Sequence, residues 1–139
     1  MSEQLLLFKR WRKRRVRTPK EFVTQCDLVR ILRVARMPGW MFTHLPMGEK
    51  RDPATARRLK DMGVTPGWPD LLFIGPGTVL FMELKREGLD PERELSDEQR
   101  EMRRHIEDCG FTYLLPDGLQ AAVQALQHWG CIRPGVRVT

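Results

Sequence analysis

The feature that most constrains the fold is a pair of strongly apolar segments joined by a turn. Residues 70–74 (DLLFI) and 78–85 (TVLFMELK) flank Gly75-Pro76-Gly77, and this pattern predicts a β-hairpin. Because nearly every position in both segments is apolar, the hairpin is expected inside a sheet that helices cover. The pattern therefore predicts a buried sheet at the centre of the fold.

Three charged residues stand at one end of this hairpin. Side chains alternate between the two faces of a strand, so Glu83 and Lys85 project from one face, and the turn brings Asp70 close to the level of Glu83. Charges at the ends of buried strands are costly unless they pair or bind a metal. Two such carboxylates could share Mg²⁺ or Mn²⁺, with the backbone carbonyl of Leu84 as a further ligand. A purely structural cluster of ion pairs is the alternative.

A divalent cation at this position would polarise a phosphodiester, lower the pKa of a bound water molecule and orient its attack. Lys85 would then position the water, take a proton or hold the charge that develops on the phosphate. The residues leave these roles of the lysine open, and an isolated Glu-x-Lys pair is a weak signal.

Capping and turn residues complete the predicted order of elements. The predicted elements around the hairpin are a helix from Thr18 to about Ala35, a strand over 40–45, a short helix from Pro53 to Gly63, a helix from Ser96 to Cys109, a strand over 111–115 and a helix from Asp117 to about Trp129. This order predicts an α/β fold with a small mixed sheet flanked by helices. The strand over 111–115 should lie parallel to the second hairpin strand after a right-handed crossover.

Two polar residues near helix starts allow two interpretations. Glu21 lies on the same helical stripe as Gln25, Leu28 and Leu32, so it is predicted to top a buried face. Glu21 also fits as the closing residue of a capping box, and so does Gln99 in a later helix. A role in a site and a role as a cap both stay open for each residue.

The positive charge of the chain is concentrated at its start. The net charge is +6, and residues 1–17 carry all of it, since seven basic residues are offset by one acidic residue. The basic residues are Lys9, Arg10, Arg12, Lys13, Arg14, Arg15 and Arg17. We predict that this arm and Arg51 bind DNA, because phosphate contacts release counterions. A solvated tail, a targeting signal or a membrane contact are the alternatives.

Composition limits the compartment and the chemistry. No apolar run is long enough to span a membrane, and residues 5–8 are too short for a secretory signal, so we expect a cytosolic protein. Three cysteines without a CxxC pair argue against disulfides and a thiolate zinc site. We predict a basic arm (1–17), one domain (18–130) and a C-terminal tail (131–139) that frays after Pro134.

The segments around the three charged residues resemble a known nuclease signature. The sequence Gly67-Trp68-Pro69-Asp70, the hairpin and Glu83-Leu84-Lys85 match the PD-(D/E)xK pattern. The wider run HLPMGEKRDPATARRLKDMGVTPGWPDLLFI, followed by MELKREG and LSDEQ, is similar to the VRR-NUC family in particular. The likeness covers about residues 18–125.

This resemblance implies a restriction-endonuclease-like core and a phosphodiesterase that acts on DNA with Mg²⁺ or Mn²⁺. Asp70 and Glu83 would be the metal carboxylates, and Lys85 the catalytic lysine. Glu21 would match the family's N-terminal glutamate near the metal, acting directly or through water, and Gln99 its downstream glutamine. Stand-alone members resemble Holliday-junction resolvases, so branched DNA and a homodimer with two sites in register are expected. A DNA-binding module that keeps the fold without catalysis is the alternative.

Overall fold

The structure of the protein is a computed structural model that describes residues 6–8, 20–46 and 52–139. The predicted DNA-binding residues Lys9, Arg10, Arg12, Lys13, Arg14, Arg15, Arg17 and Arg51 lie outside the described residues, as does the predicted Thr18 cap. Within the described part of the chain, none of the helices combines the length and apolar character that crossing a membrane requires.

The described elements follow the predicted order, with three additions. In chain order they are β1 (Leu6–Phe8), α1 (Lys20–Ala35), β2 (Met41–His44), α2 (Pro53–Asp61), β3 (Leu71–Gly75), β4 (Thr78–Met82), α3 (Pro91–Glu94), α4 (Asp97–Asp108), β5 (Thr112–Leu114), α5 (Gly118–His128) and β6 (Val136–Val138). The strands β1 and β6 and the short helix α3 are the elements that the sequence did not predict.

A four-stranded mixed sheet in the order β2-β3-β4-β5 forms the centre of the fold. The strand β3 is antiparallel to both β2 and β4, whereas β4 and β5 are parallel. Gly75 pairs with Thr78, so Pro76 and Gly77 alone form the turn, and the positive φ of Gly77 (62°) suits a residue without a side chain. The predicted hairpin and the parallel neighbour of β4 are confirmed.

The main core lies between one face of the sheet and the helices α1 and α5, which contact each other. Its fully buried members include Leu28, Ile31 and Leu32 of α1, Leu71 and Phe73 of β3, Leu80 and Met82 of β4, and Leu119, Val123 and Leu126 of α5. The helix α4 packs beside β5 and buries Ile106. Helices therefore cover the sheet as the apolar strands predicted.

The C-terminal segment is ordered, so the prediction that it frays is wrong. Val136–Val138 pairs in parallel with Leu6–Phe8, and Cys131, Ile132 and Val136 are buried in the main core. The prediction relied on Pro134 and on nearness to the chain end, whereas burial of these apolar side chains stabilises the segment.

Asp117 does not cap α5, contrary to prediction. It precedes the helix, but its side chain makes no capping hydrogen bond. Its Oδ1 instead accepts a hydrogen bond from the backbone N–H of Gly88 at 3.2 Å. The side chain thus ties the loop after β4 to the start of α5, a contact that local capping rules do not anticipate.

Candidate active site

Strand pairing brings Asp70 to the level of Glu83. Leu71 pairs with Met82, so the next residues outward, Asp70 and Glu83, lie opposite each other at the end of the hairpin. The Asp70 Oδ2 accepts a hydrogen bond from the Leu84 N–H at 2.7 Å. On the other side, His44 Nδ1 donates to the Asp70 carbonyl oxygen at 2.8 Å. Asp70 is therefore held by both neighbouring segments of the sheet.

Glu83, Lys85 and Gln99 form a connected polar cluster beside Asp70. The Lys85 Nζ lies 3.4 Å from Glu83 Oε1 and donates to Gln99 Oε1 at 2.9 Å. The Gln99 Nε2 donates to the same Glu83 Oε1 at 2.8 Å. Glu83 and Lys85 are only 3% and 9% exposed, so this contact is shielded from water. The predicted placement of both side chains on one face is confirmed.

Gln99 closes the predicted capping box and also contacts two residues of the candidate site. The capping box of α4 is formed, with Gln99 N–H donating to Ser96 Oγ at 3.2 Å and Ser96 N–H donating to Gln99 Oε1 at 2.9 Å. The carboxamide that closes the box also contacts Lys85 and Glu83. The start of α4 is thereby joined directly to the end of β4.

Burial makes the two carboxylates hard to charge together. Burial and the nearby charge of Asp70 raise the pKa of Glu83 to about 8, although Lys85 opposes the shift. Burial also raises the pKa of Asp70, against the lowering effects of the Leu84 N–H, His44 and Lys85. A cation between the two carboxylates would relieve this repulsion.

The donor set fits a hard divalent cation. Glu83 Oε2 is buried and has no hydrogen-bond partner among the described residues, so it is available as a metal ligand. Aspartate and glutamate oxygens are ligands that Mg²⁺ and Mn²⁺ prefer, with water completing the shell. Within the described part of the chain, no group of three or more His, Cys, Asp or Glu side chains is placed to hold a metal. The site therefore offers two carboxylates, and the Leu84 carbonyl stays a predicted third ligand.

Comparisons with protein-family models and with curated proteins give no match. A solved structure described as a "VRR_NUC domain protein" aligns with a TM-score of 0.63 and 17% sequence identity, over 89% of this chain and 96% of that chain. The chain has the fold of a VRR_NUC domain protein. The predicted α/β fold class is thereby confirmed, and so is the resemblance at the level of the fold.

Glu21 is exposed in this VRR_NUC-like fold, although it lies on the helical stripe that is buried further along α1 at Leu28 and Leu32. Because α1 begins at Lys20, Glu21 lies in the exposed first turn, while Thr24 and Asp27 are the buried polar residues of the helix. The charge of Glu21 still acts on Asp70, where it contributes to the raised pKa. Glu21 thus lies near the site electrostatically, and its metal role stays a prediction.

Tyr113 belongs to this site, although the sequence did not single it out. It pairs with Phe81 in the parallel contact of β5 and β4, which places its side chain on the face of Glu83. Its hydroxyl is buried without a hydrogen-bond partner among the described residues. Burial, and next the charge of Glu83, raise its pKa. The available signal was a hydroxyl in a strand predicted to lie beside β4.

The loop before Asp70 packs against the start of α4 so closely that only glycine fits. A Cβ on Gly67 would lie 2.4 Å from the Glu98 carbonyl oxygen, and Gly67 has a φ of 92°. We expect Gly67→Ala to destabilise the protein by about 3 kcal/mol, from steric overlap and backbone strain together. Urea unfolding would measure the loss.

Gly110→Ala is the matched control for this prediction. Gly110 has a similar φ of 87°, but nothing lies within 4 Å of the position that a Cβ would occupy there. Its substitution should therefore cost only the backbone strain, about 1 kcal/mol. Equal losses in the two variants would contradict the close packing of the loop on α4.

Proposed function

We propose that the protein is a metal-dependent DNA endonuclease that hydrolyses phosphodiester bonds with Mg²⁺ or Mn²⁺. The observation that carries the proposal is the cluster of Asp70, Glu83 and Lys85, in which two neighbouring carboxylates lie beside a buried ammonium group. The fold shared with a VRR_NUC domain protein supports a nuclease. A structural ion-pair cluster is a poorer account, because the single ammonium group of Lys85 leaves the pKa of both carboxyls raised.

Asp70 and Glu83 would hold the cation, with the Leu84 carbonyl as a further ligand and Glu21 acting through water. When bound, the cation supplies a polarised phosphate and an activated water molecule. Asp70 is fixed for this task by the Leu84 N–H, which leaves its other oxygen for the metal. Burial of Glu83 strengthens its interaction with any cation that enters.

Lys85 would contact the water or the scissile phosphate. Its Nζ is oriented by Gln99 Oε1 and Glu83 Oε1, and an ammonium retains a third hydrogen for another acceptor. Gln99 acts through these two residues, because one carboxamide fixes both side chains. This rigid arrangement would lower the cost of ordering the site when DNA binds.

DNA is the proposed partner, and branched DNA the proposed preferred form. The basic residues of the arm and Arg51 would contact phosphates, and the exposed Arg57 and Arg58 of α2 would add further phosphate contacts. A homodimer would supply two sites for symmetric cuts in a four-way junction. The proposed setting is the cytosol, where cellular or phage DNA is available.

A panel of labelled DNA substrates tests the proposal. We expect wild-type protein to cleave DNA with Mg²⁺ or Mn²⁺ and to be inactive in EDTA. A dimer should make symmetric nicks in a four-way junction. Asp70→Asn should lose cleavage, because it removes one of two metal carboxylates while keeping an acceptor for the Leu84 N–H. The exposed Asp61→Asn serves as the matched control.

Two outcomes would count against the proposal. An Asp70→Asn variant that cuts as fast as wild type would exclude the assigned site. Wild-type protein that binds the junction but cuts nothing with either metal would favour a DNA-binding module, and Asp70 and Glu83 would then be structural.

A further inference from the structure

Two buried polar atoms in the candidate site lack hydrogen-bond partners among the described residues: the Tyr113 hydroxyl and Glu83 Oε2. Most buried polar atoms in proteins have a partner, so two exceptions in one site call for an explanation. Both side chains lie on the same face of the sheet, since Phe81 pairs with Tyr113 and Glu83 follows Phe81 by two residues. Glu83 lies just past the end of β4, where its N–H still donates to the Leu114 carbonyl oxygen at 2.9 Å. Such diagonal neighbours are within reach of an aromatic side chain.

The two atoms are chemically complementary. Burial and the charge of Glu83 raise the pKa of Tyr113, so the phenol keeps its proton and acts as a hydrogen-bond donor. The free oxygen of Glu83 is an acceptor when the carboxyl is charged, as it would be when it binds a cation. A donor and an acceptor that are buried on one face of a sheet without meeting directly can be joined by an internal water molecule.

We infer that Tyr113 is a positioning residue for Glu83, to which its hydroxyl donates through one buried water molecule. The inference rests on the proposed function, in which Glu83 binds the metal. Gln99 Nε2 already donates to Glu83 Oε1, so the second oxygen would receive its own donor from β5. Hydrogen bonds of this kind favour the charged carboxylate and fix its orientation towards a cation.

The Tyr113 ring is held independently of its hydroxyl. The guanidinium carbon of Arg103 lies 5.3 Å from the centre of the ring, at a distance suited to a cation–π contact. Arg103 in turn pairs with Glu92 at 2.6 Å and with Glu107 at 2.9 Å. Removal of the hydroxyl alone should therefore leave the ring and its surroundings in place.

Tyr113→Phe tests the inference by removing only the hydroxyl. Titration calorimetry with Mn²⁺ should show affinity about 10-fold weaker than in wild type, the usual effect of losing a group that orients a metal ligand. Thermal unfolding should be nearly unchanged, since the hydroxyl bonds directly to no described residue. Thr112→Val is the matched control, because it removes a hydroxyl from the next residue of β5, on the opposite face.

A second readout needs neither metal nor cleavage. Tyr113 is the single tyrosine of the chain, so a ¹³Cζ-tyrosine label produces one NMR resonance that reports on the phenol. In metal-free protein, Glu83→Gln should shift this resonance, whereas the exposed Glu94→Gln should not. An unchanged chemical shift of Tyr113 in the Glu83→Gln variant would overturn the inference.

The outcomes separate this inference from the proposed function. If wild type and Tyr113→Phe bind Mn²⁺ equally well and cut DNA equally fast, the role of Tyr113 is refuted and the nuclease stands. An equal loss of affinity in Thr112→Val would also refute it. If wild type itself binds no Mn²⁺ and cuts nothing, the proposed function fails and the inference falls with it.

Discussion

Replacing Lys85 by methionine is expected to slow metal-dependent DNA cleavage by about 100- to 10,000-fold. The Lys85 Nζ lies 3.4 Å from Glu83 and 2.9 Å from Gln99 Oε1, where it would meet the attacking water or the phosphate. Methionine keeps much of the unbranched stem but cannot donate a hydrogen bond or carry charge. Metal binding should persist, because Lys85 repels the cation and is not a ligand.

Single-turnover cleavage at saturating Mg²⁺ would measure the effect, with Mn²⁺ calorimetry on the same variant. Lys60→Met on the exposed surface of α2 is the matched control and should cut like wild type. A Lys85→Met variant within threefold of the wild-type rate would exclude a direct role for the lysine. Loss of metal binding together with cleavage would instead indicate a structural role.

Metal-free protein is expected to lose stability as the pH rises from about 5 to 9. The Glu83→Gln substitution is expected to remove much of this loss. The pKa of Glu83 is raised from 4.5 to about 8 in the folded protein. Between these two values the folded state keeps a proton that the unfolded chain releases. The contribution of Glu83 to the free energy of unfolding is therefore complete below pH 4.5 and is lost as the pH rises through about 8. The raised pKa of Asp70 acts in the same direction.

Urea unfolding in EDTA at several pH values would measure this change, which should be on the order of a few kcal/mol. The exposed Glu94→Gln variant should follow the wild-type profile. Mg²⁺ should restore stability at high pH, because a bound cation would offset the charge of Asp70 and Glu83. A Glu83→Gln profile that runs parallel to the wild-type profile would contradict the cause assigned to the shift.

Most of the fold could be predicted because its signals are local. The hairpin follows from two apolar segments and a Pro76-Gly77 turn, and the capping box of α4 follows from Ser96 and Gln99. The errors concern features that also depend on contacts with the rest of the domain. The periodicity of α1 placed Glu21 on the apolar stripe, which is buried at Leu28 and Leu32, but Glu21 itself is exposed.

The site was predicted in part for the same reason. The alternation of one strand puts Glu83 and Lys85 on one face, and the length of the turn brings Asp70 opposite Glu83. No local rule indicated that the cap residue Gln99 also reaches this pair, because that contact depends on how α4 packs beside the sheet.

The sequence by itself determined the hairpin, the helix caps and the shared face of Glu83 and Lys85, since these depend on residues that are close in the chain. Only the tertiary structure decided that Gln99 joins the cluster, that Tyr113 lies beside Glu83, and that Val136–Val138 pairs with Leu6–Phe8. Those contacts join residues far apart in sequence. Their free energy depends on packing across the whole domain, which local propensity does not report.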